Sequence, residues 1–151
     1  MHILSTSRLR LSLHLPTDGF YRGTRFDRSG VFDSLLLDGI EMAGRWFERY
    51  DPQMHDAVCG PAEEFTMVPC GDLYLKIGVG LLRPDGLPYD RFRLYEIADG
   101  GEWTAEKTDE RSVRFSHTLA GYYKYIKDIV LTGETSFEIR HRDRKSTRLN
   151  S

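Results

Sequence analysis

Strict alternation of apolar and polar residues is the clearest signal in this chain. Leu9, Leu11, Leu13 and Leu15 share one face, while Arg8, Arg10, Ser12 and His14 take the other, which predicts a half-buried β-strand over residues 8–15. On this pattern His14 faces solvent. Pro16-Thr17-Asp18-Gly19 ends the strand in a turn. The run 31–37, then Asp38-Gly39, then Ile40-Glu41-Met42, predicts a hairpin, because Asp-Gly supplies the positive φ values of a two-residue turn. Residues 73–82 are apolar and β-rich, and Gly78 and Gly80 within them point to close approach by another backbone. Residues 91–97 alternate, with Phe92, Leu94 and Glu96 on one face, and Asp99-Gly100-Gly101 closes that strand. Residues 103–106 and 112–119 read as two further strands about a polar turn at 107–111. His117 shares the face of Val113 and Phe115, which makes it a satisfied, partly buried histidine. Residues 121–131 and 136–141 flank a turn at 132–135 as one more hairpin. No segment carries an amphipathic helix pattern, so the predicted class is all-β and antiparallel.

Three stretches break the alternation. Residues 21–30 hold Arg22, Arg25 and Arg28 beside Tyr21, Phe26 and Asp27, with Gly23 and Gly30 as turn or bulge residues. Three guanidinium groups are not buried without partners. The stretch is therefore either a loop presenting arginines to a polar, planar or hydroxyl-rich ligand, or a solvated strand pair held by Arg–Asp contacts. Residues 44–50 carry Trp46, Phe47 and Tyr50 beside Arg45 and Arg49, an aromatic edge packed on the core or a wall for a ring to stack on. Residues 51–61, bracketed by Asp51-Pro52 and Gly60-Pro61, read as a loop, and His55 beside Asp56 is its titratable candidate. Glu63 and Glu64 follow as paired carboxylates suited to acid–base work, though adjacent strand residues send one side chain inward and one to water.

Length and charge narrow the classes. At 151 residues the chain makes one domain or part of a larger one. Its net charge of −2, from 21 basic and 23 acidic residues, gives no excess that calls for nucleic acid or an anionic membrane. Two cysteines, Cys59 and Cys70, with no CxxC and no histidine cluster at ligand spacing, point away from a disulfide framework or a structural zinc site. Residues 1–7 lack the apolar core of a secretory signal and no run is long enough to span a bilayer, so the expected location is cytoplasmic. Residues 143–151 resemble, codon by codon, the translation of a common sequencing-library adapter over all nine positions. The expected natural segment is therefore 1–142.

Residues 20–30, 55–65 and 76–80 together resemble a group of uncharacterised bacterial proteins of the galactose mutarotase-like, or aldose 1-epimerase-like, superfamily, and residues 89–96 fit the same group. The resemblance covers essentially residues 9–142. It implies an antiparallel β-supersandwich of which this chain is the N-terminal portion. It further implies an isomerase that interconverts the anomers of a free aldose by general acid/base catalysis, without a metal or cofactor. By chain order Arg25 and His55 are similar to the family's sugar-binding arginine and earlier histidine. Arg22, Glu63 and Glu64 are secondary candidates. The family's acid histidine and base glutamate come from C-terminal strands, so the catalytic residues are expected outside this chain. A non-catalytic carbohydrate-binding or structural β-sandwich module is the alternative.

Overall fold

A computed structural model describes residues 1–43 and 63–145. Among them are twelve antiparallel strands and no helix. β1 (His2–Ser5), β2 (Leu9–Leu13), β3 (Phe32–Leu37) and β4 (Ile40–Glu41) form a first sheet in that order. β5 (Val68–Cys70), β6 (Leu73–Lys76), β7 (Gly80–Leu82) and β8 (Ile97–Asp99) form a second small sheet. β9 (Glu102–Asp109), β10 (Ser112–Leu119), β11 (Tyr123–Gly133) and β12 (Ser136–Lys145) form a long meander.

The long meander backs both small sheets. Every second residue of β10 and β11 is buried, Val113, Phe115, His117 and Leu119 on one strand and Tyr123, Tyr125, Lys127, Ile129 and Leu131 on the other. The opposite face carries solvent-side pairs such as Arg114–Asp128, bonded through both guanidinium arms at 2.7 and 3.0 Å. Leu4, Leu9, Leu11, Leu13 and Phe32 of the first sheet pack on Val113, Phe115, Ile129 and Leu131. Leu75 and Leu81 of the second pack on Leu119, Tyr123 and Tyr125 at the other end of the same face. The result is a two-layer sandwich with one long sheet and two short ones side by side.

The alternating leucines and the Asp38-Gly39 hairpin stand as expected. Asp38 and Gly39 take φ of 50° and 80°, and β3 and β4 pair across them. β1 and β5 had no signal in the alternation, being short. Residues 73–82 are not one run: they fold back at 77–79, so that Lys76 pairs with Gly80. The close approaches expected at their glycines are present. A Cβ on Gly78 would lie 2.7 Å from the Asp27 carboxylate, and one on Gly80 would overlap the Asp99 carbonyl oxygen. The polar turn expected at 107–111 shrinks to Glu110 and Arg111, because β9 runs on to Asp109.

Two expectations need correction. Residues 91–93 form a turn and 94–96 are irregular, so this is not a strand, and Phe92 is 69% exposed and Leu94 55%. Asp90 causes this: its carboxylate accepts the Phe92 amide, its carbonyl accepts the Arg93 amide, and its own amide donates to the Tyr95 hydroxyl. His14 does not face open solvent. Its ring lies parallel to Phe20 at 3.9 Å, with its nitrogens 3.0 Å from Asp18 and Asp33.

Candidate functional site

Residues 14–31 run without strand structure between the two small sheets. What pins them is Asp27, 2% exposed. Its carboxylate accepts the Ser29 amide at 2.9 Å, the Ser29 hydroxyl at 2.8 Å, the Tyr125 hydroxyl at 2.7 Å and the Lys127 ammonium at 3.3 Å. Lys127 also donates to the Ser29 carbonyl at 3.0 Å. The pair is fully buried, and the donors around Asp27 supply what a charge removed from water requires. Asp27 thus meets a lysine rather than the arginines beside it. Arg28 spends its guanidinium on the carbonyls of Arg22 and Gly23, at 2.8–3.1 Å.

The buried carboxylate reaches the surface through one more bond. Tyr125 donates to Asp27, so the His141 Nδ1 that lies 2.7 Å from the Tyr125 oxygen is the donor of that bond. This leaves Nε2 of a neutral His141 as an acceptor, 3.7 Å from Glu63. Burial and the positive charge of Lys127 hold His141 below its ordinary pKa, with Glu63 and Asp27 opposing them. Burial and the charge of Asp27 push the Tyr125 phenol up.

Pinning Asp27 places Arg25, two residues earlier, at the edge of a cleft. Its guanidinium carbon lies 4.7 Å from the Phe26 ring and 4.8 Å from the Phe92 ring, and its Nε is 3.3 Å from Glu64. The other Glu64 oxygen lies 3.5 Å from Arg91. Glu64, Phe65, Thr66, Lys76, Tyr89 and Arg91 line a cleft of about 410 Å³. Lys76, 1% exposed, donates to the Tyr89 hydroxyl at 2.7 Å. A cleft with one carboxylate, several fixed donors and aromatic walls suits a ligand bearing hydroxyl groups.

Of the residues singled out in the sequence, Arg25 and Glu64 come together here. Glu63 turns the other way, exposed and beside His141. Arg22 is exposed and bonds the Gly19 carbonyl at 3.1 Å, away from the cleft. His55, the aromatic stretch 44–50 and the loop 51–61 lie outside the described residues. Lys76, Tyr89, Lys127 and His141 were missed. The sequence did hold one signal: Lys127 and Lys76 each end or interrupt an apolar β pattern. Among the described residues no group of histidine, cysteine and acidic side chains is arranged to hold a metal ion.

His117 is the buried histidine expected. It stacks on Trp103 at 3.9 Å, meets the Gly100 carbonyl through Nε2 at 2.6 Å and the Tyr123 hydroxyl through Nδ1 at 2.8 Å. Burial holds it below its ordinary pKa, the bond to Gly100 working against that shift. Both His117 and His141 are therefore neutral in the fold at a pH where the unfolded chain has begun to take protons. Below about 6.5 the unfolded state binds more protons than the native one, so stability falls as pH drops. The urea midpoint is expected to decrease from pH 7 to pH 5, a window above that of the depressed carboxylates Asp109 and Asp128. Histidine ring NMR should show His117 titrating below its ordinary range; a flat midpoint from pH 7 to pH 5 would refute the assignment.

No family model, no curated protein and no solved structure matches the chain.

Proposed function

We propose that this chain is the carbohydrate-binding, N-terminal portion of an aldose 1-epimerase-like protein with a galactose mutarotase-like β-supersandwich, acting on a free aldose in the cytoplasm without a metal or cofactor. One observation carries the reading: Arg25, held between two aromatic rings, shares Glu64 with Arg91 at a cleft also lined by Lys76 and Tyr89. A carboxylate flanked by forked donors is suited to adjacent sugar hydroxyls, which both give and accept hydrogen bonds. In this reading the grip on the sugar belongs to this chain. The groups that take the anomeric proton and protonate the ring oxygen belong to other strands of the parent protein.

The test is an NMR titration of the chain with D-glucose and D-galactose. Binding is expected in the cleft resonances, and Glu64→Gln or Arg25→Met is expected to weaken it about tenfold or more, the loss of one charge-assisted hydrogen bond. Anomer exchange in the presence of the chain is expected to match buffer. Absence of binding by both sugars would reject the reading, and exchange clearly above buffer would reject its division of labour.

A further inference from the structure

Tyr89 sits in an unusual position for a phenol. Its oxygen lies 2.7 Å from Nζ of Lys76, a group that only donates, so the phenol oxygen accepts that bond. Its own hydrogen then has no acceptor among the described residues. The ring is fixed: it stacks on Tyr95 at 5.4 Å and meets Tyr74 edge-on at 5.6 Å. Tyr89 and Glu64 line the same cleft. Burial, aided by the negative charge of Glu64, pushes the phenol up to about 12, so the hydrogen stays on the oxygen throughout the physiological range.

We propose that Tyr89, polarised by the buried Lys76 behind it, is a specificity-determining donor of the cleft and selects an aldose that places an acceptor oxygen against its hydroxyl. This rests on the carbohydrate reading and deepens it. Glu64 supplies the acceptor side and Tyr89 the donor side, so the preferred ligand is a neutral sugar that offers both a hydroxyl hydrogen and an oxygen lone pair. The bond that the phenol oxygen accepts from Lys76 polarises the hydroxyl and strengthens its own donation. A sugar lacking that one oxygen leaves a fixed donor unpaired, which is the kind of mismatch that discriminates strongly.

The experiment titrates wild type, Tyr89→Phe and Glu64→Gln with D-glucose, D-galactose and their monodeoxy analogues. For wild type, one deoxy position is expected to cost about tenfold or more in affinity. In Tyr89→Phe the parent sugar should bind about tenfold more weakly, and that same deoxy position should cost nothing further. Tyr89→Phe also removes one partner of Lys76, so thermal melts accompany the titrations. Should the variant not fold, the tyrosine ultraviolet difference spectrum of wild type decides: a shift on adding sugar is expected, and none overturns the proposal. Wild-type affinity retained in Tyr89→Phe, or an unchanged deoxy penalty, overturns it while Glu64→Gln still weakens binding. Failure of every sugar to bind wild type removes the carbohydrate reading and this proposal together.

Discussion

Replacing Asp27 by alanine should lower the stability of this protein by about 3–5 kcal/mol, the typical cost of stranding one member of a buried ion pair. The substitution leaves the Lys127 ammonium, 1% exposed, with the Ser29 carbonyl as its one hydrogen-bond acceptor among the described residues. It also removes the acceptor of the Tyr125 hydroxyl and of the Ser29 amide. With a urea slope of about 2 kcal/mol per molar, the midpoint should fall by about 2 M. Desolvation, rather than simple loss of attraction, is the larger contribution. The double variant Asp27→Ala/Lys127→Met should therefore recover part of the loss, since no charge is then left without a counter-charge. Equal midpoints for Asp27→Ala and wild type would mean that the pair does not hold the loop between the two small sheets.

Gly80→Ala should cost about 2–6 kcal/mol, and Gly39→Ala only about 1. Both glycines have positive φ, 131° and 80°. They differ in what a methyl group meets. At Gly39 nothing lies within 4 Å, so the penalty is backbone strain alone. At Gly80 the methyl would overlap the Asp99 carbonyl oxygen, with the Gly100 Cα at 3.1 Å. That contact lies where β7 pairs with β8, at Leu81↔Asp99 and Leu82↔Ile97. Relieving it means parting the strands, and β8 leads directly into the Asp99–Gly101 connection to the long meander. Parallel thermal melts of the two variants check this; similar midpoints would show that the sheet edge yields to the extra atom at little cost.

Local chemistry was legible and long-range pairing was not. Leu9, Leu11 and Leu13 announce an inner face because alternation is a property of neighbours, and Asp38-Gly39 announces its turn for the same reason. Lys127 falls on the inner face of β11, between Tyr125 and Ile129, and alternation alone reads it as an interruption. Its counter-ion lies 100 residues earlier in a loop, and no local pattern joins them. Residues 91–97 mislead in the opposite way. Their alternation is genuine, but Asp90 and Tyr95 offer the backbone competing hydrogen bonds, and a turn that satisfies three groups at once overrides it. At the cleft, Arg25 and Glu64 stood out because charge clusters are visible in one dimension. Tyr89 and Lys76 did not, since a phenol in a turn and a lysine ending an apolar strand acquire meaning only when the fold sets them 2.7 Å apart.

The anchoring of residues 14–31 by a buried carboxylate has a thermodynamic corollary. Most arginine-bearing loops must give up conformational freedom when a ligand arrives, and that freedom is charged against affinity. Here the backbone two residues beyond Arg25 is already immobilised from inside, and its guanidinium is held between Phe26 and Phe92. The ordering happens during folding, so any guest meeting this side chain would find little of the loop's own conformational entropy left to lose.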